Sequence, residues 1–316
     1  RGAGRRNGPA GAVDAAPDVA AMVRRLDWQP AGGGGLVAAT SFRSDGAASV
    51  RIGLLVQRLP DEATVRVFAP GGGELAEFSG AQIRSLLSGL EGKSPTYWLP
   101  AVGGPEAVLQ IALPAGVAPS QVEVAVPQLS HLWVDLARGQ DSMLKIGESD
   151  TCNIDASCEA SYLDESRAIA RMEFVSGGDS FLCTGTLMAD VGAPRTPWFL
   201  SANHCISDQA TASSLTTYWF YRSASCNSRT LNPGATRLTG GAQLLYATGA
   251  TDTAFLRLVQ APPAGALFAG SLLAAPAVGA GVVGLHHPVG DVLKFSEGSI
   301  LAFSNCSENA AGDVTC

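Results

Sequence analysis

The sequence of 316 residues has no hydrophobic run long enough to cross a membrane and no excess of positive charge. Its apolar stretches at residues 132–134 and 282–285 are far shorter than the roughly 18 residues that a membrane-spanning helix needs. Acidic residues outnumber basic residues by 28 to 21, which gives a formal net charge of -7. Nucleic acids and anionic membranes attract concentrated positive charge. The composition therefore argues against nucleic-acid and membrane partners.

Cysteine is absent from the N-terminal part of the chain, because none of the seven cysteines precedes Cys152. Cysteines concentrated in one region of a folded protein are typical of disulfide bonds formed after export from the cytoplasm. We therefore expect a secreted, extracellular protein. Because seven is an odd number, one thiol is left without a partner within this chain.

Composition and hydrophobic patterning divide the chain into three segments. Residues 1–35 combine Gly, Ala and Pro with scattered Arg and predict a flexible N-terminal arm with one helical turn near residues 19–26. Residues 36–145 contain short alternating apolar runs between Pro and Gly turns, which predict a β-sandwich-like domain with one helix at residues 81–90. Residues 146–316 form the third segment.

Both long segments show the two-residue alternation of β-strands, so we predict an all-β protein. The predicted strands of the sandwich-like domain include residues 64–68, 97–102, 107–113 and 121–126. Those of the third segment are residues 168–175, 181–188, 198–202, 215–221, 254–258 and 281–285.

A histidine at the end of a predicted strand is the first candidate for chemistry. Residues 199–202 form an apolar strand end that delivers His204 next to Cys205. A general base needs such firm placement, because a displacement of about 1 Å can reduce the rate about a hundredfold. Cys183 lies upstream as a partner that could fix Cys205 covalently.

A carboxylate at the start of a later strand is the second candidate. Asp252 directly precedes the apolar residues 254–256. A carboxylate surrounded by such neighbours stays ionised only when it is hydrogen-bonded, and an imidazole N–H is a suitable donor. His204 and Asp252 together therefore suggest a base and the group that orients it.

With these motifs the sequence resembles the trypsin-like serine endopeptidases, and within them the secreted bacterial lysyl endopeptidases. The broader likeness rests on Cys183-Thr184-Gly185-Thr186-Leu187, Ala202-Asn203-His204-Cys205 and the later Asp252. The closer likeness rests on Cys152-Asn153-Ile154-Asp155, on the aromatic run 217–221 and on Leu285-His286-His287-Pro288.

This resemblance implies that residues 146–316 form a trypsin-like double β-barrel, with His204 as general base and Asp252 holding its ring in the useful tautomer. The nucleophile should be a serine in a Gly-x-Ser-Gly turn, a pattern that none of Ser296, Ser299, Ser304 and Ser307 fits. We therefore expect the serine beyond Cys316, an incomplete second barrel, and no peptidase activity in the isolated chain.

The resemblance also implies the disulfide bonds. It pairs Cys183 with Cys205 and Cys158 with Cys226, while Cys306 and Cys316 are close enough in sequence to pair locally. Cys152 is then unpaired in this chain. The bonded partner of Cys152 is expected late in the full-length protein, past the serine.

Neither a metal nor an organic cofactor follows from this mechanism, because a triad and backbone amides suffice. His286 and His287 could be metal ligands, but adjacent side chains on a strand point to opposite faces, so a structural role is favoured. Lys145 followed by Ile146 is a possible processing site at which the N-terminal segment would be removed.

The sequence leaves three hypotheses for the function of the whole protein. The first is an endopeptidase that hydrolyses peptides or proteins, after Lys or Arg by resemblance, and carries its own N-terminal pro-domain. The second is a non-catalytic protease homologue that serves as a binding or regulatory module. The third is an adhesion or carbohydrate-binding protein whose function lies in the sandwich-like domain.

Overall fold

A computed structural model describes most of the chain: residues 10–11, 14–72, 75–88, 96–132, 147, 149–228, 230–303, 307–308 and 314–315. Its contacts define two compact units. The first comprises Arg6–Ser142 with Val175–Ser180, and the second comprises Arg1–Arg5, Met143–Phe174 and Phe181–Cys316. Antiparallel strands dominate both units, which confirms the all-β class.

The first unit contains two antiparallel sheets of five strands each. Its elements are β1 (Ala10–Gly11), α1 (Val19–Val23), β2 (Gln29–Pro30), β3 (Leu36–Arg43), β4 (Ser49–Arg58), β5 (Thr64–Phe68), β6 (Ala76–Ser79), α2 (Gly80–Leu87), β7 (Thr96–Trp98), β8 (Val102–Gly103), β9 (Glu106–Leu113) and β10 (Glu123–Leu132). One sheet has the order β1-β10-β4-β7, with β8 also paired to β4, and the other has the order β2-β3-β9-β5-β6.

One apolar core joins these two sheets into a sandwich. Val50, Ile52 and Leu54 alternate along β4 and are fully buried. They belong to the same cluster as Leu109 and Ile111 of β9, which lies in the other sheet. The alternating apolar residues of β4 and β9 therefore form the faces of the two sheets that share this core.

Helix α1 and strand β2 lie within residues 14–35, in the segment for which the composition predicts a flexible arm. Helix α1 begins after Asp18, whose side chain accepts a hydrogen bond from the Ala21 N–H, and Met22 is only 1% exposed. Strand β2 pairs with β3. Met22, together with the partly buried Leu26 and Trp28, thus anchors on the core a segment that is otherwise rich in small residues.

The second unit is built on one large antiparallel sheet of seven strands. Its elements are β11 (Ile154–Asp155), β12 (Ile169–Ser176), β13 (Asp179–Met188), β14 (Trp198–Ser201), α3 (Gln209–Ser213), β15 (Thr216–Trp219), β16 (Thr236–Leu238), β17 (Ala242–Thr248), β18 (Thr253–Leu258), β19 (Gly281–His286), β20 (Lys294–Ser299), β21 (Ser307–Glu308) and β22 (Val314–Thr315). The large sheet has the order β16-β15-β12-β13-β14-β18-β17. A second sheet has the order β11-β20-β19, and β21 pairs with β22.

The seven-stranded sheet encloses a core to which most of its strands contribute. Met172, Phe199, Trp219 and Leu256, from β12, β14, β15 and β18, are fully buried in one cluster. Because β14 and β18 are antiparallel neighbours, with Ser201 opposite Ala254, the end of β14 meets the beginning of β18. The fold thereby brings together the two chain segments that carry His204 and Asp252.

The helices of the described residues are short, and none of them is long and apolar enough to span a membrane. The longest, α2, begins with a capping box in which Ser79 and Gln82 satisfy each other's backbone N–H groups. It covers most of the helix predicted at residues 81–90, of which residues 89–90 lie outside the described part of the chain.

We predict that Gly185 in β13 is required for core packing. A Cβ added there would lie 2.2 Å from Cε1 of the buried Phe199, so the ring would have to move. Overpacking of this kind should lower the free energy of unfolding of Gly185→Ala by about 1–3 kcal/mol in urea denaturation. Gly281→Ala is the control, because no atom lies within 4 Å of the added Cβ. Equal stability of the two variants would contradict the packing argument.

Candidate active site

His204 lies in a tight turn immediately after β14. The backbone N–H groups of Cys205 and Ile206 both donate to the Ala202 carbonyl at 3.1 Å, so the chain reverses sharply just past the end of β14. The His204 side chain is 40% exposed. The turn therefore presents the imidazole to solvent while its neighbours remain in the core.

A disulfide bond holds this turn against the adjacent strand. Cys183 of β13 is bonded to Cys205, with the two Cα atoms 6.4 Å apart. The bond closes a loop of 22 residues, and the chain-entropy treatment of such loops gives a stabilisation of about 3 kcal/mol. The backbone of His204 is consequently fixed at its C-terminal neighbour.

Asp252 binds His204 through both of its carboxylate oxygens. One oxygen, Oδ1, accepts the backbone N–H of His204 at 2.8 Å, and Oδ2 lies 2.6 Å from the ring atom Nδ1. Because a carboxylate accepts hydrogen bonds, Nδ1 carries the hydrogen in this pair. The remaining ring nitrogen, Nε2, is then the atom that can take up a proton from a reactant.

The backbone at Asp252 is unusual in a way that suits this contact. Asp252 has a φ of 48°, in the left-handed region that few non-glycine residues adopt, and its N–H donates to the Gly249 carbonyl at 3.2 Å. This conformation occurs one residue before β18 begins at Thr253. The strained turn aims the carboxylate across to the neighbouring strand end.

The donor atoms around His204 do not suit a metal ion. Cys183, His204 and Cys205 lie with their donor atoms within 4.8 Å of one another. Both sulfur atoms are bonded to each other, however, and a disulfide sulfur is not the thiolate that binds a metal. The cluster is therefore better described as a histidine beside a disulfide bond than as a metal site.

His286 ends β19, whereas His287 begins the following turn, and the two side chains have different surroundings. The Nε2 atom of the half-buried His286 lies 3.2 Å from Oδ1 of Asn153. His287 is buried, and its Nδ1 donates to the backbone carbonyl of Asp291 at 2.9 Å. The two rings thus contact separate parts of the second unit.

The second disulfide bond joins Cys158 to Cys226 beside the buried Asp155. Asp155 accepts hydrogen bonds from the Ser157 N–H at 2.9 Å, the Ser223 hydroxyl at 2.5 Å and the Asn227 N–H at 3.1 Å. The motif that contains Asp155 is visible in the sequence, but its role as a hydrogen-bond acceptor for three separate groups is not.

The remaining residues singled out in the sequence are Cys152, the possible processing site and the last two cysteines. Cys152 is an exposed free cysteine. Lys145, Ile146, Cys306 and Cys316 lie outside the described residues. The processing site and the pairing of the last two cysteines therefore stay predictions.

Asp291 is a fully buried carboxylate that the sequence does not single out. It accepts the N–H groups of Gly147 at 2.9 Å and Val292 at 2.7 Å, and the Ser149 hydroxyl at 2.7 Å. The Lys294 ammonium lies 3.6 Å away. No feature of residues 288–291 distinguishes this aspartate from an ordinary turn residue, so only the three-dimensional contacts identify it.

We predict that His287 makes the stability of the protein depend on pH. The pKa of His287 is lowered from 6.5 to about 3, mainly by burial and also by the charges of Arg171 and His286, against the opposing effect of the Asp291 carbonyl and carboxylate. Below about pH 6.5 the unfolded chain binds a proton that the folded chain resists. The contribution of the neutral His287 to the free energy of unfolding is thus complete above about pH 6.5. It decreases as the pH falls toward 3, by at most about 1.4 kcal/mol per pH unit.

The variant His287→Gln removes this titration. Its free energy of unfolding, measured in urea at a series of pH values, should fall less steeply between about pH 6.5 and pH 4 than that of the unchanged protein. Since the substitution can also change stability at neutral pH, the slopes and not the absolute values are compared. Parallel curves for the two proteins would contradict the prediction.

Comparison with known proteins matches both parts of the chain. The family model of the lysyl endopeptidase C-terminal domain matches residues 146–315, and that of the lysyl endopeptidase N-terminal domain matches residues 2–133. The chain is also 34% identical over 298 residues to a lysyl endopeptidase from Pseudomonas aeruginosa. The match covers 88% of this chain and 61% of that relative. The chain belongs to the lysyl endopeptidase family.

Proposed function

We propose that the protein is a secreted serine endopeptidase in which His204 is the general base and Asp252 orients it. The contact of Asp252 with both the backbone and the ring of His204 carries this proposal. It leaves Nε2 as the proton acceptor, as a Ser-His-Asp mechanism requires. Family membership supports a protease, and the geometry supports these two residues in these two roles.

In the proposed reaction Nε2 of His204 takes the proton of a serine hydroxyl while the serine oxygen attacks the peptide carbonyl. The imidazolium then gives this proton to the leaving amine, and an acyl-enzyme remains for hydrolysis by water. Asp252 stabilises the imidazolium by keeping its charge beside Nδ1. The resemblance to lysyl endopeptidases suggests a serine C-terminal to Cys316 as the nucleophile.

The substrates proposed are peptides or proteins cleaved after Lys or Arg. This preference rests on the resemblance to lysyl endopeptidases and on the name of the matched relative. A pocket that pairs a cationic side chain with a buried charge rejects a neutral side chain, since the protein charge would then be left unpaired.

The N-terminal unit is proposed as a pro-domain removed near Lys145 and Ile146. The match of separate N- and C-terminal family models on either side of residues 134–145 supports a division there. The disulfide bonds Cys158–Cys226 and Cys183–Cys205 support an oxidising, extracellular location for the mature enzyme.

Replacement of Asp252 should impair catalysis more than substrate binding. In the full-length enzyme, Asp252→Asn should lower kcat by about three to four orders of magnitude, because an amide no longer selects the tautomer with hydrogen on Nδ1. KM should change little. Asp164→Asn is the matched control, since the Asp164 side chain is 80% exposed and forms an ion pair with Arg167. A kcat of Asp252→Asn equal to that of the control would contradict the assignment.

Peptide substrates that differ only at the residue before the cleaved bond test the proposed specificity. We expect kcat/KM for Lys or Arg to exceed that for a neutral residue of similar size by about 10³-fold or more. Similar values for charged and neutral residues would contradict a cation-specific pocket. Absence of hydrolysis by the full-length, processed protein would favour the non-catalytic homologue instead.

A further inference from the structure

A threonine next to the disulfide bond links the turn of His204 to a distant part of the second unit. Thr184 follows Cys183 in β13 and is half-buried. Its backbone carbonyl accepts the hydroxyl of Ser201, the last residue of β14, at 2.9 Å. Thr184 is thereby tied to the strand end from which the His204 turn emerges.

The side chain of Thr184 makes the second half of this link. Its Oγ1 accepts the backbone N–H of His287 at 2.9 Å. His287 directly follows β19 and begins the turn that leads to β20. One hydroxyl therefore connects the seven-stranded sheet with the β19–β20 hairpin, beside the disulfide bond that fixes the His204 turn.

The far side of the β19–β20 turn is equally well held. The His287 ring donates to the Asp291 carbonyl, and the buried Asp291 carboxylate accepts the N–H groups of Gly147 and Val292. A continuous series of hydrogen bonds thus runs from Ser201 through Thr184 to this turn. Since both ends are anchored, removal of the Thr184 hydroxyl would interrupt the series at one defined point.

We propose that Thr184 is a positioning residue, whose hydroxyl sets the distance between the His204 turn and the β19–β20 hairpin. This inference rests on the proposed function, and it further places the β19–β20 hairpin in the expected second barrel, the one that would also carry the serine. In this role Thr184 positions other groups and takes no part in the reaction itself. It acts through geometry, because a base displaced by about 1 Å from its nucleophile can lose about a hundredfold in rate.

The test compares Thr184→Val with Thr184→Ser in the full-length, processed enzyme. Valine keeps the shape and removes the acceptor for the His287 N–H, so kcat should fall about 10- to 100-fold with KM nearly unchanged. Serine keeps the hydroxyl and should restore kcat to within about threefold of the unchanged enzyme. Thr186→Val is the matched control, because Thr186 is also half-buried and lies on the same face of β13, two residues away.

The pH profile separates a positioning role from damage to the base itself. Because the contact of Asp252 with His204 is untouched in Thr184→Val, the midpoint of the acid limb of kcat/KM should stay within about 0.3 pH units while the plateau falls. A plateau equal to that of the unchanged enzyme would overturn the proposal. So would a midpoint that moves with the plateau, an equal loss in Thr184→Ser, or an equal loss in Thr186→Val.

A second variant and the activity of the unchanged enzyme also test the role of Thr184. If Thr184→Val does not fold, Thr184→Ala removes the same hydroxyl without filling its space, and the same loss of kcat is expected for it. An unchanged full-length enzyme that hydrolyses no peptide would overturn the proposed function together with this inference. Activity of the unchanged enzyme with full activity of Thr184→Val or Thr184→Ala would overturn the positioning role alone.

Discussion

The site depends on one constraint, which is that a single carboxylate binds the backbone and the ring of the same histidine. Asp252 takes the N–H of His204 on one oxygen and Nδ1 on the other. A contact to the ring alone would leave the orientation of the imidazole relative to the backbone unfixed. The two-point contact fixes the ring relative to the main chain, and it selects the tautomer with a free Nε2. The exposed position of the ring then makes this nitrogen accessible to a reactant.

The surrounding fold holds the contact between Asp252 and His204 in place. Strands β13, β14 and β18 are neighbours in one sheet, so the segments that carry Cys183, His204 and Asp252 converge at one end of these strands. The Cys183–Cys205 bond then ties the His204 turn to β13. Beneath these strand ends, the ring of Phe199 and the sulfur of Met172 fill the core and leave room only for glycine at position 185. Packing, covalent bonding and charge therefore act on the same few residues.

Many of the strands could be predicted from the sequence, because apolar and polar residues alternate clearly along strands that have one buried face. The strand predicted at residues 64–68 has these bounds in the structure. Strand β17 escaped prediction for a physical reason: it exposes Leu245 and Tyr246, and its register shifts between Leu244 and Tyr246, so no simple alternation survives. An edge strand with a bulge leaves little periodic signal.

The contacts of the site were less predictable than its residues. His204 and Asp252 stand out by their position at strand ends and by resemblance to a known family, but alternation alone does not reveal that β14 and β18 are neighbours. The roles of Thr184, Asp155 and Asp291 depend on hydrogen bonds to residues remote in sequence, for which residue type gives no signal. Burial of Met22 likewise depends on packing that a Gly- and Ala-rich composition hides.

The central claim is that His204 activates a serine as a nucleophile. The most direct measurement is the rate at which an organophosphate labels the full-length, processed protein, compared with its His204→Ala variant. The account predicts labelling of one serine in the unchanged protein and a rate lower by about 10³-fold or more in the variant. Equal rates of labelling in the two proteins would contradict it.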